Sequence, residues 1–372
     1  MKQELTYWIT LSLIPNLWTR RKNEIYVNCF KHEPQISIIE LFEDSGTWDI
    51  VGLTEAEKVL FEEARKQLAN NSFLIEELIA QGYDIIPITH EEYPQTLKKN
   101  LKQGAPTVIY TKGNKKLLQE PSIAIVGSRK ADSKSLTFTD NVSRKGVAAN
   151  KVIVSGFAKG VDRQALDSAL EVDGKSIIVL PQGITTFSTG FKQYFKHIAN
   201  GSVLVMSTFA PKAPWSVELA MARNPIIYGM ASEIYVAQSD EKGGTWSGVI
   251  DGLKKERTIY VRYPDKGETN ANLLLIEKGA KAVDINGEIS SLNCDCSKAE
   301  DEESKNQLDA EITRLLDSVD MISAKEIISR LRLDLTDIKL KQLLEKMPGV
   351  EKLKVKNRIY FRLKGKTEQV LF

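Results

Sequence analysis

Apolar positions along the chain gather in short runs, and its middle third repeats one arrangement. Ile123–Val126 is a continuous apolar run that stops at Gly127, Ser128 and Arg129; after a polar, helix-length stretch, Val152–Val154 stops at Ser155 and Gly156. Short apolar runs closed by small-residue turns and separated by helical stretches predict a βαβα unit, and hence a parallel sheet. The arrangement continues with a helix over Gly160–Glu171 and a strand over Ser176–Leu180 that ends at Pro181-Gln182-Gly183. Ser202–Met206, Glu233–Ala237 and Thr258–Val261 read as further strands. Glu218–Met230 begins as a helix and meets Pro225, which disfavours helix at Asn224 and removes a backbone donor. Lys242–Gly248 is a glycine-rich turn with a helix over Val249–Glu256 behind it, and Asn270–Val283 gives a short helix and a closing strand. Asp84–Thr89 and Ala105–Asn114 read as strands that add an edge. About six strand–turn–helix repeats predict an extended Rossmann-like, doubly wound α/β sheet over residues 85–287.

The flanks have other periods. Residues 1–84 alternate apolar patches with charge and predict a small helical domain. Thr54 with Glu57 forms a capping box for a helix whose Val59, Leu60, Ala64 and Leu68 approximate one apolar face. Residues 288–307 are polar, acidic and without periodicity, as a linker is. Residues 308–372 carry three helix-period segments, then an alternating stretch with Asn357 near its turn, which predicts a winged helix with Ser323 capping its second helix. Lys339, Lys341 and Lys346 on the third helix, and Lys352, Lys354, Lys356, Arg358 and Arg362 on the wing, read either as phosphate contacts or as the solvated face of a protein-contact module.

Composition narrows the function. A chain of 372 residues predicts two or three domains, and its net charge of +2 requires any nucleic-acid role to come from a local patch. Cys29, Cys294 and Cys296 give no disulfide framework, and Cys294-Asp-Cys296 supplies too few ligands for a zinc site, so neither cofactor nor metal is expected. His32, His90 and His197 are scattered and form no triad. No window reaches transmembrane length and the N-terminus lacks a leader pattern, which predicts a cytoplasmic protein without a membrane partner.

Chemistry concentrates in four turns where strands meet helices: Gly127-Ser-Arg129, Ser155-Gly156, Gln182-Gly183 and Gly243-Gly-Thr245. Backbone N–H groups in such turns, with helix N-termini behind them, cradle phosphate oxygens, and Arg129 adds a bidentate donor. Glycine in the same turns also serves positive φ and close packing alone. The G-x-G-x-x-G dinucleotide fingerprint is missing, which argues against NAD.

Several segments together carry a resemblance. SIAIVGSR at 122–129, SGFAKGVDRQAL at 155–166, RNPII at 223–227, GGTWSG at 243–248 and NANLLLIEKGA at 270–280 resemble, in order, the DNA-processing protein A (DprA/Smf) family. The lead-in over 91–114, with Tyr93-Pro94 before an apolar strand and Gly113-Asn114, is similar too. The resemblance implies a non-enzymatic single-stranded DNA-binding protein that protects the strand, forms homodimers and passes DNA to a RecA-type recombinase during natural transformation. By motif, it implies DNA-phosphate contacts at Gly127, Ser128, Arg129, Ser155, Gly156, Lys159, Gly160, Gly183, Arg223, Asn224, Gly243, Gly244 and Thr245. Phe157, Phe187 and Trp246 are the nearest aromatics, read as core before stacking platform. The chain departs from the family where Ala165-Leu166 replaces an alanine-histidine pair and Arg223-Asn224-Pro225 replaces Arg-Asn-Arg. The alternative is a Rossmann-like nucleotide-binding sensor or nucleotide phosphohydrolase. Such hydrolases carry a Gly-Gly-x-Gly-Thr loop and a catalytic glutamate, whereas Gly243-Gly-Thr245 is contiguous and no glutamate follows before Glu256.

Overall fold

The computed structural model describes residues 2–289, 308–331, 333, 336–345, 347–355 and 358–364. The chain divides into two compact units, Met1–Ser290 and Ser291–Phe372. Most of the expected linker, with Cys294 and Cys296, lies outside the described residues, as do Lys346, Lys356, Asn357 and the side chains of Lys339 and Arg358.

The first unit opens with six helices: α1 (Lys2–Leu13), α2 (Thr19–Lys31), α3 (Ile38–Glu43), α4 (Thr47–Ile50), α5 (Glu55–Arg65) and α6 (Leu68–Ala80). The Thr54–Glu57 capping box is present at α5. The buried face of α5 is Phe61 and Ala64, whereas Val59 is exposed, so the apolar face is rotated from the expected one. Phe42, Trp48 and Phe61 pack ring against ring in this core, with Phe42 and Phe61 centroids 5.1 Å apart.

Nine strands follow: β1 (Asp84–Pro87), β2 (Val108–Gly113), β3 (Ser122–Val126), β4 (Val152–Ser155), β5 (Ser176–Val179), β6 (Val203–Ser207), β7 (Glu233–Val236), β8 (Ile259–Arg262) and β9 (Lys281–Val283). They form one sheet in the order β1-β2-β6-β5-β4-β3-β7-β8-β9. β3 through β9 run parallel to one another, while β2 is antiparallel to both β1 and β6 and adds the expected edge. All five positions of β3 and of β6 are buried, as strands covered by helices on both faces require.

Helices α7 (Gln95–Leu101), α8 (Ser133–Ala148), α9 (Val161–Glu171), α10 (Ser188–Gln193), α11 (Phe195–Ala199), α12 (Val217–Met230), α13 (Gly244–Lys254) and α14 (Asn272–Glu277) connect and cover the strands. Two elements differ from expectation. α12 runs unbroken through Pro225. An interior proline costs about 3 kcal/mol or more, and burial of Ile226, Ile227, Tyr228 and Met230 just beyond it offsets that cost. α13 begins at Gly244, so Gly244 and Thr245 are its first helical residues rather than loop. Among the described residues no helix is long and apolar enough to cross a membrane.

The second unit contains α15 (308–317), α16 (Ala324–Leu331) and α17 (Asp337–Leu344), then a hairpin of β10 (Val350–Val355) and β11 (Arg358–Leu363). Ser323 and Glu326 make the reciprocal bonds of a capping box before α16. Three of the cations considered for phosphate contact are already paired here: Lys341 with Asp337, Lys352 with Glu345 and Arg362 with Glu351.

Candidate nucleic-acid interface

The strand order reverses direction between β3 and β7, since the chain steps from β3 outward to β6 and then returns to β3's other side. Ligands of doubly wound sheets bind in the crevice that opens there, beyond the carboxyl ends of the strands. A cleft of about 470 Å³ occupies this position, and its walls include Gly127, Ser128, Arg129, Arg223, Asn224 and the Gly243–Thr245 turn. Eight of the residues singled out by sequence thus converge although the chain spaces them over more than a hundred positions.

The turns interlock. Ser128 donates its backbone N–H to the Gln238 carbonyl at 2.9 Å, tying the loop after β3 to the loop after β7. A side chain on Gly127 would come within 2.6 Å of the Val161 side chain, so glycine there lets α9 close on β3. Gly160 stands at the N-cap of α9 with φ +78°, and a Cβ on it would lie 2.5 Å from the Ser128 carbonyl oxygen. α13 has no side-chain cap, which leaves its N-terminal N–H groups and positive dipole end toward the cleft, whereas α9 spends the Val161 N–H on the Ser128 carbonyl at 3.4 Å and the Arg163 N–H on the Ala158 carbonyl at 3.1 Å. Gly243 is the N-cap of α13 with φ +98°, a conformation that favours glycine, and the Asn224 amide packs against Gly244.

Arg223 forms the floor. Only 4% of it is exposed, and a Cβ on Gly156 would sit 1.1 Å from its Nη1, so the guanidinium lies across the end of β4 where only glycine leaves room. Its Nη1 is 3.6 Å from Asp162 Oδ2, and its Nε and Nη1 have no hydrogen-bond partner. Asp162 accepts from the Ala158 N–H at 3.4 Å. Burial pushes the Asp162 carboxyl up, against the opposing pull of Arg223, and burial likewise lowers Arg223 from its ordinary value. The pair is an ionic floor with donors unspent.

Beside the cleft a trough runs along Gly156, Phe157, Lys159 and Trp215. Phe157 is held at φ +64°, edge-on to Phe187 at 4.8 Å, with the Arg163 guanidinium 3.8 Å from its ring centre. That clamp makes Phe157 and Phe187 a supporting wall. Trp215 is 49% exposed and lies against the same trough. Trp215 is not among the residues expected from sequence; its local signal is its place directly before Ser216, whose side chain caps α12 by accepting from the Leu219 N–H. Lys130 and Lys242 also line the cleft, beyond the contacts expected from sequence.

Three of the expected contacts stand elsewhere. Ser155 is buried and donates its hydroxyl to the Ile125 carbonyl at 3.0 Å. Gly183 spends its N–H on the Ala213 carbonyl at 2.9 Å, and a Cβ on it would strike the Pro211 carbonyl at 2.2 Å. Gly160 shapes the wall from behind. These glycine and serine positions serve close packing of backbone on backbone, the alternative role of small residues in such turns. Among the described residues no cluster of potential metal ligands occurs.

The sequence model of the family described as DNA recombination-mediator protein A matches residues 84–292, more than half of the chain. The chain belongs to this family. The matched span contains the whole nine-stranded sheet and every wall of the cleft. The DNA processing protein DprA of Streptococcus pneumoniae is 31% identical over 207 residues, which is 55% of this chain and 72% of that protein. The DprA of Bacillus subtilis is 28% identical over 207 residues, 55% of this chain and 69% of that protein. The X-ray structure of DprA from Streptococcus pneumoniae superposes with a TM-score of 0.63 at 25% identity, covering 75% of this chain and 94% of that chain. In this recombination-mediator family member, three of the segments that carry the resemblance, 122–129, 223–227 and 243–248, supply walls of one cleft.

Proposed function

We propose that this protein binds single-stranded DNA in the cleft at the β3/β7 reversal, without chemical turnover, and passes the strand to a RecA-type recombinase. The observation that carries the reading is the convergence of the uncapped N-terminus of α13 with Arg129, Lys130, Lys242 and the buried Arg223 on one cleft. Cations and helix N-termini together bind the phosphates of a strand, and an exposed tryptophan offers a face to a base. Among the described residues on the cleft wall the carboxylates are Asp162, set against Arg223, and Asp240. Glu256 lies past the end of α13, which supports a binding role over hydrolysis. The family's description as a recombination mediator supports the recombinase partner. Homodimer formation and a cytoplasmic site of action belong to the same proposal, and the winged-helix reading of the second unit makes it an auxiliary contact for DNA or protein.

The test is fluorescence anisotropy of labelled oligo-dT against its duplex over a salt series, with free nucleotides as competitors. Preferential, salt-sensitive binding of the single strand that nucleotides do not displace is the expected result. Displacement by one mononucleotide, or no DNA binding, refutes the proposal in favour of a nucleotide sensor. Light scattering on the same samples reads the dimer.

A further inference from the structure

A second cavity, of about 340 Å³, lies on the far side of α12 from the DNA cleft, between the N-terminal helices and the sheet. Ala222, Pro225 and Ile226 of α12 face it, whereas Arg223, Asn224 and Ile227 face the cleft. Its distinctive member is Lys22. The side chain is only 7% exposed, and its Nζ donates to the Ser12 carbonyl at 2.6 Å. A buried ammonium with a single neutral acceptor is costly unless an opposite charge stands beside it. The charged residue that shares the cavity wall, Lys255, is itself a cation; it is exposed and bonded to Asp251 at 2.7 Å. Burial alone lowers the Lys22 ammonium to about 8, without a contribution from any carboxylate. At neutral pH the group is therefore still charged.

The remaining walls suit the same guest. Thr19, Thr107 and Thr208 are among the lining residues, and Leu101, Phe209 and Ile226 give an apolar side. Thr19 is also the first residue of α2, a thirteen-residue helix whose N-cap, Trp18, makes no side-chain cap bond. The positive end of that helix adds to the field of Lys22 in the cavity. We propose that this cavity is a binding site for a small organic oxyanion, a carboxylate or phosphate whose charged group pairs with Lys22 and whose apolar part rests on Phe209 and Ile226. The site is separate from the DNA cleft and does not depend on that reading.

The full-length protein is labelled with acetic anhydride at pH 8, and acylation of the Lys22 peptide is read by mass spectrometry. The probes are inorganic phosphate and benzoate, with chloride at matched ionic strength as control. Protection of Lys22 of about fivefold or more by either probe is expected, because pairing keeps the amine protonated. Equal labelling with and without both probes overturns the proposal. Arg129→Ala removes a cation of the DNA cleft; protection that disappears in this variant arose from the cleft and also overturns it. Calorimetry of the better probe at pH 8, in buffers of different ionisation enthalpy, gives a second reading. Wild type is expected to take up about half a proton per anion and Lys22→Met none, whereas equal uptake in both refutes the assignment. The labelling arm needs no substitution at Lys22, so the proposal stays testable if Lys22→Met does not fold.

Discussion

Asp162→Asn isolates the ionic floor of the cleft. The substitution keeps the shape of the side chain and removes the charge 3.6 Å from Arg223 Nη1. Both groups are more than nine-tenths buried, so solvent screens little of the loss. Coulomb's law at that separation with an effective dielectric constant of about 20 gives about 4–5 kcal/mol, and removing one partner of a buried pair typically costs about 3–5 kcal/mol. At roughly 2–4 °C per kcal/mol for a unit somewhat smaller than this one, the midpoint falls by roughly 6–20 °C. All five tryptophans lie in residues 1–290, so tryptophan fluorescence on heating follows this unit and not the second. The cleft opens onto the orphaned guanidinium, so oligo-dT is expected to raise the midpoint more in the variant than in wild type, its phosphate replacing the lost carboxylate. Arg223→Met behaves differently with pH. It removes the pull that opposes burial, so the Asp162 carboxyl, already raised in wild type, rises further, and the variant loses more stability than wild type as pH rises through that higher value. An Asp162→Asn midpoint within about 1 °C of wild type, with no extra gain from DNA, refutes the account of this floor.

Other expectations test separate parts. Arg129 is exposed and lines the cleft, so Arg129→Ala should weaken oligo-dT binding and reduce the salt slope by about one, with the thermal midpoint nearly unchanged. Trp215→Ala should cost about 1–3 kcal/mol of single-strand affinity if a base stacks on the indole, read by anisotropy at fixed salt; an unchanged affinity removes Trp215 from the interface. Glu57 accepts from the Arg21 side chain at 2.8 Å, and that bond holds its carboxyl down at about 2. Its folded value lies below the unfolded one, so it stabilises the fold above about pH 4.5 and that stability is lost as pH falls toward 2. Glu57→Gln should therefore flatten the acid limb of a pH–stability curve measured by circular dichroism.

The parallel sheet was readable because its signal is local. Ile123–Val126 and Val152–Val154 are unbroken apolar runs, and strands covered on both faces have no other pattern to show. The cleft was readable in part for the same reason, since its turns follow directly from those runs. Its missing members depend on contacts between distant segments. Gly183 looks like Gly127 in sequence, and only the loop over 210–213 lying on top of it diverts its N–H. Pro225 reads as a break because local chemistry disfavours helix there, and the burial that overrides it comes from the sheet beneath. Lys22 sits among charged neighbours in the stretch Thr19–Glu24, where one lysine looks as solvated as the next; its helix is covered by segments distant in sequence, among them the turn over 102–104, which lies some eighty residues later.

The antiparallel edge of the sheet also sets an order of events for the growing chain. β2 pairs with β6, and Tyr110 meets Ser207; this partner emerges from the ribosome roughly 100 residues, or roughly 5–20 s at ordinary elongation rates, after β2 itself. During that interval the β1–β2 hairpin has one edge without a neighbour, a template for pairing with another chain. α1 packs on both strands, and Lys112 on β2 carries its ammonium over the Tyr83 ring at 4.5 Å. The N-terminal helices can thus fold onto the hairpin first and hold it as a preassembled piece that waits for β6. On this view their first task is kinetic: they guard a strand whose partner has yet to be made.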